Sequence, residues 1–193
     1  MQENRLCFAT NNKGKLQEIK ALVSDWTVLS LQEIGCTEEL PETHNTLEEN
    51  SLEKADHVFK NYGVSCFADD TGLEVDALNG EPGVFSARWA GPGCTPLDNM
   101  NLLLQKLQGQ KNRKARFRTV ITLILNGSVH QFEGWVNGTI NESSSGSQGF
   151  GYDPVFTPDG ENITFAEMEL EKKNKLSHRG MAVKKLIEFL KAN

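Results

Sequence analysis

The chain has 193 residues, 38% of them hydrophobic, with 20 Lys and Arg against 26 Asp and Glu for a formal net charge of -6. That length suits one domain or a compact pair of lobes burying roughly 70% of the unfolded chain's surface, so a core needs no disulfide or metal staple. The acidic balance excludes a protein that grips a nucleic-acid backbone by bulk electrostatics, which takes clustered positive charge, yet it allows a small anionic ligand where a few Lys and Arg converge.

Cys7, Cys36, Cys66 and Cys94 lie far apart, form no CxxC pair, and two of them sit inside the apolar runs LCFA and VSCFA. This is the pattern of buried free thiols in a reducing compartment, not of a zinc site. The leading MQENRLCFAT is too polar for a signal peptide, and no apolar stretch approaches bilayer-spanning length. A cytoplasmic chain with no membrane and no nucleic-acid partner is the expectation.

In chain order, Arg5 to Ala9 reads as a short buried strand, and after the polar turn Thr10-Asn11-Asn12-Lys13-Gly14 a helix carries Leu16, Ile19, Leu22 and Val23 on one face. Thr27 to Leu31 reads as a second strand. The acidic loop from Glu33 to Asn45 leads to a helix whose start is marked by Thr46 and Glu49, three residues apart, the spacing of a capping box. Leu52, Ala55, Phe59 and Tyr62 continue it. Val64 to Ala68 is the next predicted strand, closing at the turn residues Asp69-Asp70-Thr71-Gly72. Gly80, Pro82 and Gly83 punctuate the loop before Val84 to Trp89, and Thr95-Pro96 opens a helix with Leu97, Leu104 and Leu107. Arg116 to Leu125 and Ser128 to Val136 flank Asn126-Gly127, a strong signal for an antiparallel hairpin. Ser143-Ser144-Ser145-Gly146 connects to Gly149-Phe150-Gly151-Tyr152-Asp153-Pro154, and a final helix from about Ser177 buries Ala182, Val183, Leu186, Ile187 and Leu190. Strands alternating with helices and then a hairpin give a mixed α/β sheet in one domain spanning 1–193.

Three stretches exceed what such a fold requires. Thr10 to Lys15 lies where a strand ends and a helix begins, the edge at which unpaired N–H groups and the helix dipole receive anions. A helix cap with two surface lysines fits the same residues, and no GxxxxGK[ST] loop is present. The second is a set of acids: Glu42, Glu48 and Glu49, then Asp69 and Asp70. Magnesium uses one or two carboxylates together with water and substrate phosphates, whereas Glu49 also suits a cap, Glu48 a solvated helix and Glu42 a loop. Asp70, directly after an apolar strand, is costly without a partner. The third is Lys172-Lys173-Asn174-Lys175 before Ser177-His178-Arg179-Gly180. Cations at a helix N-terminus conflict with its dipole, and a bound anion relieves the conflict; Ser177 as N-cap with two exposed neighbours is the alternative.

In order and spacing, TNNKGK, the ENxxxKA segment Glu49-Asn50-Ser51-Leu52-Glu53-Lys54-Ala55, ADDTGLEVDALNGEPGVFSARWAG, GFGYDPVF and SHRG resemble the Ham1-like inosine triphosphate pyrophosphatases, or dITP/XTP pyrophosphatases, from Leu6 to about Leu190. The resemblance implies an α/β fold with a mixed twisted sheet flanked by helices, two lobes with a central cleft, and a homodimer. It implies Mg²⁺-dependent hydrolysis of non-canonical purine nucleoside triphosphates (ITP, dITP, XTP) to the monophosphate and pyrophosphate. Carried over by position, Asp70 is the general base and a metal ligand, and Thr71 contacts substrate. Thr10, Asn11, Asn12, Lys13, Gly14 and Lys15 bind phosphate, Asn11 standing where the family often has Gly. Phe150, Gly151, Tyr152, Asp153, Lys173, His178 and Arg179 bind the nucleotide. Glu42 is the second metal acid, with Glu39 and Glu49 as alternatives, and Asp69 either shares the metal or braces its loop.

The chemistry is consistent with that set. Water attacking the α-phosphorus needs a base, a metal to draw off charge and cations for the departing pyrophosphate, roles open to Asp70, to Mg²⁺ with Glu42, and to Lys15 with Lys173. A 6-oxo purine offers an acceptor where adenine offers a donor, so a buried donor, Arg179 or a backbone N–H, discriminates between them, while Phe150 stacks on either. A Maf-like enzyme acting on pyrimidine or methylated nucleotides, and a catalytically idle nucleotide-binding regulator, are the competing expectations.

Overall fold

The computed structural model describes residues 5–23 and 25–192; Met1 to Asn4 of the polar leading stretch lie outside the described residues. The strands are β1 (Arg5–Phe8), β2 (Thr27–Leu29), β3 (Cys66–Val75), β4 (Pro82–Gly83), β5 (Lys114–Leu125), β6 (Ser128–Ile140) and β7 (Phe156–Pro158). The helices are α1 (Lys13–Leu22), α2 (Leu47–Tyr62), α3 (Pro96–Lys106), α4 (Leu170–Leu176) and α5 (His178–Ala192). The strand order is β2-β1-β3-β5-β6-β7, with β4 paired to β3. β1 runs parallel to β2 and β3, whereas β4 is antiparallel to β3 and β7 to β6. The expected mixed α/β sheet is thus present.

By packing, the chain divides into two compact units. The first contains the segment up to Asp70, Thr119–Gly134 and the segment from Arg179; the second contains Thr71–Arg118 and Trp135–His178. In the first unit the period of two along its strands sorts side chains onto two faces. Leu6, Phe8, Phe67, Ile121 and Leu123 pack with Ile19 and Val23 from the α1 segment and Ala182, Val183, Leu186 and Leu190 of α5; the Phe8 and Phe67 rings stack 4.7 Å apart. Their sequence neighbours Cys7, Ala9, Cys66, Ala68 and Ile124 pack instead with Ala55 and Val58 of α2. The Ser51 and Thr122 hydroxyls, 2.7 Å apart, bond α2 to β5 on that same face.

In the second unit, Leu73, Val75, Ala115, Phe117 and Ile140 cover Met100 and Leu103 of α3 together with Leu107, and Val155, Phe156 and Phe165 complete the core. Phe117 meets Phe156 edge to face with centroids 4.7 Å apart, a favourable arrangement of ring quadrupoles.

Several local signals act as read. Thr46 accepts from the Glu49 N–H at 3.2 Å, although the Glu49 carboxylate takes the Thr46 hydroxyl instead of the backbone N–H a full box requires. Thr95 and Asp98 form a complete capping box ahead of Pro96. Asn126 and Gly127 both adopt positive φ, at 50° and 85°, as the two-residue turn of a twisted hairpin demands.

Four readings are corrected. The second strand ends at Leu29, since Leu31 already caps the 3-10 turn Gln32–Ile34. Leu52 and Leu97 point outward, 37% and 57% exposed; α2 buries Asn50, Ser51 and Lys54 among its apolar residues instead. The lysine-rich stretch before Ser177 forms α4, a seven-residue helix with no apolar periodicity. Most consequential, β3 does not close at Asp69: it runs unbroken through Asp-Asp-Thr-Gly to Val75, lying between β1 and β5 and pairing with β4 at Leu73 and Glu74, so that sheet context overrides local turn preference.

Gly72 permits that continuation. A Cβ there meets the Gly83 carbonyl oxygen at 2.7 Å and its carbon at 2.8 Å, so backbone, not a yielding side chain, stands in the way. Gly72→Ala is therefore expected to cost about 2 kcal/mol by forcing a backbone shift, measured as a lowered urea midpoint with unchanged slope; a midpoint equal to the parent's excludes the close approach.

Candidate active site

Asp69 and Asp70 are neighbours on β3, so the pleat sends them to opposite faces of the first unit. Asp69 follows Phe67 onto the α1 and α5 side. It is 1% exposed, accepts from Lys15 Nζ at 3.0 Å and from Arg179 Nε at 3.1 Å, and so joins the starts of α1 and α5. Arg179 also donates through Nη1 to Glu18. Burial alone raises the Asp69 pKa, but Lys15, Arg179 and Lys54 outweigh it, and the carboxyl is held well below the usual carboxylate range.

Asp70 follows Cys66 and Ala68 onto the α2 side. It is 6% exposed and accepts from Lys54 Nζ at 3.2 Å and Asn50 Nδ2 at 3.3 Å. Here burial prevails: the pKa is raised, with Lys54 and Lys15 offsetting it only in part and Glu42 adding to it. A carboxylate made more basic by its surroundings suits proton abstraction.

Lys54 links Asp70 to the acidic loop, donating to Glu42 Oε1 at 2.5 Å. Its buried ammonium is disfavoured by desolvation, yet Asp70 and Glu42 raise its pKa overall. The loop is pinned to α2 where the Thr43 N–H and hydroxyl donate to Glu53 at 2.9 and 2.8 Å and the His44 N–H donates to Asn50 Oδ1 at 2.9 Å. Glu42 is thereby brought to the ammonium that also holds Asp70. Glu49 is engaged with Thr46 at the helix cap, Glu48 lies half-buried on the first turn of α2, and Glu39 is exposed on the loop.

Thr10, Asn11 and Asn12 form the turn after β1. Thr10 Oγ1 accepts from the Asn12 N–H and Asn12 Oδ1 from the Lys15 N–H, both at 3.1 Å. Lys13, Gly14 and Lys15 form the first turn of α1, which contains no acid. Lys15 alone of this segment turns its side chain into the charge cluster, where burial lowers its pKa against the pull of Asp69. Thr71 continues β3, partly buried.

In the second unit Asp153 accepts from the Phe150 N–H at 2.8 Å and from Lys173 Nζ at 2.7 Å, and that ammonium lies 5.0 Å from the Phe150 ring centroid. Gly151 has φ 65°, and the Tyr152 hydroxyl donates to the Ser86 carbonyl at 2.9 Å. His178 is buried and stacks on Phe117 with centroids 4.7 Å apart. The lysines do not crowd an unrelieved helix start: Lys172 pairs with Glu161 at 2.6 Å, Lys175 with Glu171 at 2.6 Å, and Lys173 with Asp153. His178 and Arg179 open α5 as buried residues, 3% and 2% exposed, in place of the two exposed neighbours considered above.

The sequence assigns no role to Glu18, nor to Asn50 and Lys54, although the latter two lie in the ENxxxKA segment. A charged residue on a helix defaults to solvent, but all three fall on helix faces otherwise buried, Asn50 and Lys54 beside Leu47, Ser51 and Ala55; that position was the available signal.

Among the described residues no group of three or more His, Cys, Asp or Glu forms a metal cage. Glu42 and Asp70, two hard oxygen donors meeting at one ammonium, do fit Mg²⁺, which is held by one or two carboxylates and completed by water and phosphate. Counting Glu18, Glu42, Asp69 and Asp70 against Lys15, Lys54 and Arg179, this cluster carries one negative charge in excess.

The Ham1 family matches residues 6–189. Similar chains include the dITP/XTP pyrophosphatases of Flavobacterium johnsoniae, 53% identical over 97% of this chain and 98% of the relative, and of Bacillus subtilis, 43% identical over 96% of each. A solved Ham1 protein of Coxiella burnetii superposes with TM-score 0.89 at 34% identity, covering 98% of this chain and 99% of that one. One from Staphylococcus aureus gives 0.87 at 37% identity over 97% and 98%. With nearly its whole length matched in sequence and in structure, the chain belongs to the Ham1 family.

Proposed function

We propose that this chain hydrolyses non-canonical purine nucleoside triphosphates, ITP, dITP and XTP, to the nucleoside monophosphate and pyrophosphate, clearing them from the nucleotide pool. The relatives named dITP/XTP pyrophosphatase support the reading, and the observation that carries it is Asp70: a buried carboxylate, its pKa raised by burial, paired with Lys54 beside Glu42.

In this reading Asp70 orients a water molecule and takes its proton as the water oxygen bonds to the α-phosphorus; the bond from that phosphorus to the bridging oxygen breaks and pyrophosphate leaves. Lys15 and the amides at the start of α1 receive phosphate oxygens. Glu42 and Asp70 would hold Mg²⁺, which when bound supplies charge withdrawal from the phosphates. That supply suits a cluster in which negative charge is in excess, since a triphosphate brings more. Thr71, Phe150, Gly151, Tyr152, Asp153, Lys173 and His178 are assigned to nucleotide binding. Arg179, whose guanidinium also bonds Glu18 and Asp69, is assigned to nucleotide binding with that set, and the 6-oxo group to Arg179 or a backbone N–H, a donor that adenine's amino group leaves unsatisfied.

The proposal extends to Mg²⁺ dependence, a homodimer and the cytoplasm. All four cysteines are free, and burial pushes the Cys7 and Cys66 thiols up to about 12, as suits inert thiols in a reducing compartment. No helix among the described residues is long and apolar enough to cross a membrane.

Purified protein with Mg²⁺ and a panel of ITP, dITP, XTP, ATP and UTP tests the function. Pyrophosphate release from the 6-oxo purines at least ~100-fold faster than from ATP is expected. Release of orthophosphate excludes the mechanism; ATP or UTP turned over as fast as ITP excludes the specificity.

A further inference from the structure

We propose that Asn50 is a positioning residue whose carboxamide ties the loop carrying Glu42 to Asp70, so that the two acids are set for Mg²⁺ before the ion or a nucleotide arrives. The inference rests on the reading of Glu42 and Asp70 as the donors to that ion.

Asn50 lies on α2 with 0% exposure. Its Oδ1 accepts the His44 N–H at 2.9 Å, while Nδ2 donates to the His44 carbonyl at 3.2 Å and to Asp70 Oδ2 at 3.3 Å. One side of the amide meets a donor and the other meets two acceptors, so its partners fix which way it faces. Holding both the N–H and the C=O of one residue is how a neighbouring strand grips a backbone; here a side chain does so for a loop residue two positions after Glu42. Three residues along α2, Glu53 takes the Thr43 N–H and hydroxyl, and residues at that spacing share a helix face. Both residues that follow Glu42 are therefore gripped by one face of α2, and Asn50 alone of the two gripping residues also bonds Asp70.

An amide buried on the inner face of a helix is costly unless its hydrogen bonds are made. Aspartate in its place has no N–H to give and sets a further charge beside Asp70. Lys54 also spans the two acids, bonding Glu42 at 2.5 Å and Asp70 at 3.2 Å, but an ammonium is a point charge on a flexible stem, and positive charge between these carboxylates is what Mg²⁺ itself brings. The neutral amide adds no charge of its own and holds the loop by its backbone. Lys54 thus balances the charge of the pair, and Asn50 sets its geometry. Groups that orient a metal's carboxylates in this way typically govern affinity by about 10- to 100-fold.

Titration of the nucleotide-free protein with MgCl₂, followed through backbone ¹H–¹⁵N signals, tests the link without reference to turnover. In the parent the amides of Thr43, His44 and Thr71 are expected to shift along one binding curve. Asn50→Leu is expected to weaken Mg²⁺ binding about tenfold and to speed solvent exchange of the His44 amide at least ~10-fold while the middle of α2 stays protected. Glu53→Gln, which loosens the loop but leaves the bond to Asp70 in place, is expected to weaken Mg²⁺ less. Equal losses in the two variants overturn the proposal by reducing Asn50 to a loop anchor. Parent-like Mg²⁺ binding in folded Asn50→Leu overturns it too, as does a parent in which Mg²⁺ moves neither segment. In turnover of whichever nucleotide the parent prefers, the Asn50→Leu deficit is expected in the Mg²⁺ concentration giving half-maximal rate, and a deficit that saturating Mg²⁺ leaves unchanged also overturns the proposal. A parent that binds Mg²⁺ yet hydrolyses no nucleotide refutes the proposed function, and the titration still decides the role of Asn50. Should Asn50→Leu fail to fold, Asn50→Gln, which keeps the amide but moves it by one methylene, carries both measurements.

Discussion

Asp70→Asn is expected to lower turnover of ITP on the order of 1,000-fold while leaving the protein as stable as the parent or more so. The amide preserves shape and still presents an oxygen to the Asn50 side chain, but it is no base. The stability half follows from the sign of the pKa shift. Burial places the folded pKa of Asp70 above its unfolded value. Any stabilisation from this group is therefore full below the unfolded value and lost as pH rises through the folded one; near neutrality its charge is a net cost to folding. Asp69 has the opposite sign: its depressed folded pKa means its stabilisation is present above the unfolded value and is lost as pH falls through the folded one. Asp69→Asn should therefore lower the thermal midpoint at neutral pH and Asp70→Asn should not. Parent-like turnover in Asp70→Asn would remove it as the base, and a lowered midpoint would remove the claim that its charge is carried at a cost.

Lys54→Met is expected to destabilise the protein by about 3 kcal/mol, because removing one partner leaves a buried carboxylate without its cation. Lys54 is buried and bonds both Glu42 and Asp70, so methionine fills the space and cancels neither charge. For a chain of this size the loss corresponds to a thermal midpoint lowered by ~9 °C. The penalty shrinks on acidification, because Asp70 escapes it by taking up a proton. Mg²⁺ is expected to raise the midpoint of Lys54→Met more than that of the parent, since Glu42 and Asp70 are the donors left facing one another. A midpoint within ~2 °C of the parent's without Mg²⁺ would show that the carboxylates do not depend on the ammonium.

Legibility in the sequence followed the range of the interaction. Thr46, Thr95-Pro96 and Asn126-Gly127 act on backbone within three residues, and each did in the fold what its type suggests. The β3 strand was misread because Asp, Thr and Gly are turn formers when judged alone, while β4 pairs with the segment from Leu73 and Glu74 onward. α4 was missed because seven residues rich in Lys, Glu and Asn carry no apolar rhythm. In the site, Asp70 was visible as a carboxylate placed after an apolar run. Glu18 was not: its guanidinium partner is 161 positions away, and nothing near either residue announces the other. The role of Asp69 stayed open for a related reason, because its two partners come from opposite ends of the chain.

The period of two in β3 makes the order of residues there matter more than their identity. Two identical side chains, adjacent in the chain, meet different surroundings only because successive residues face opposite ways. Deleting Ala68 would, with the preceding strand held in register, offer each carboxylate to the other's neighbours or, with the following strand held, turn Phe67 toward the face that Ala68 now occupies. The gene can change either aspartate codon and lose one property at a time. It cannot lose a codon just ahead of them without shifting register on one side of the cut, so across related chains this segment should vary by replacement and not by length.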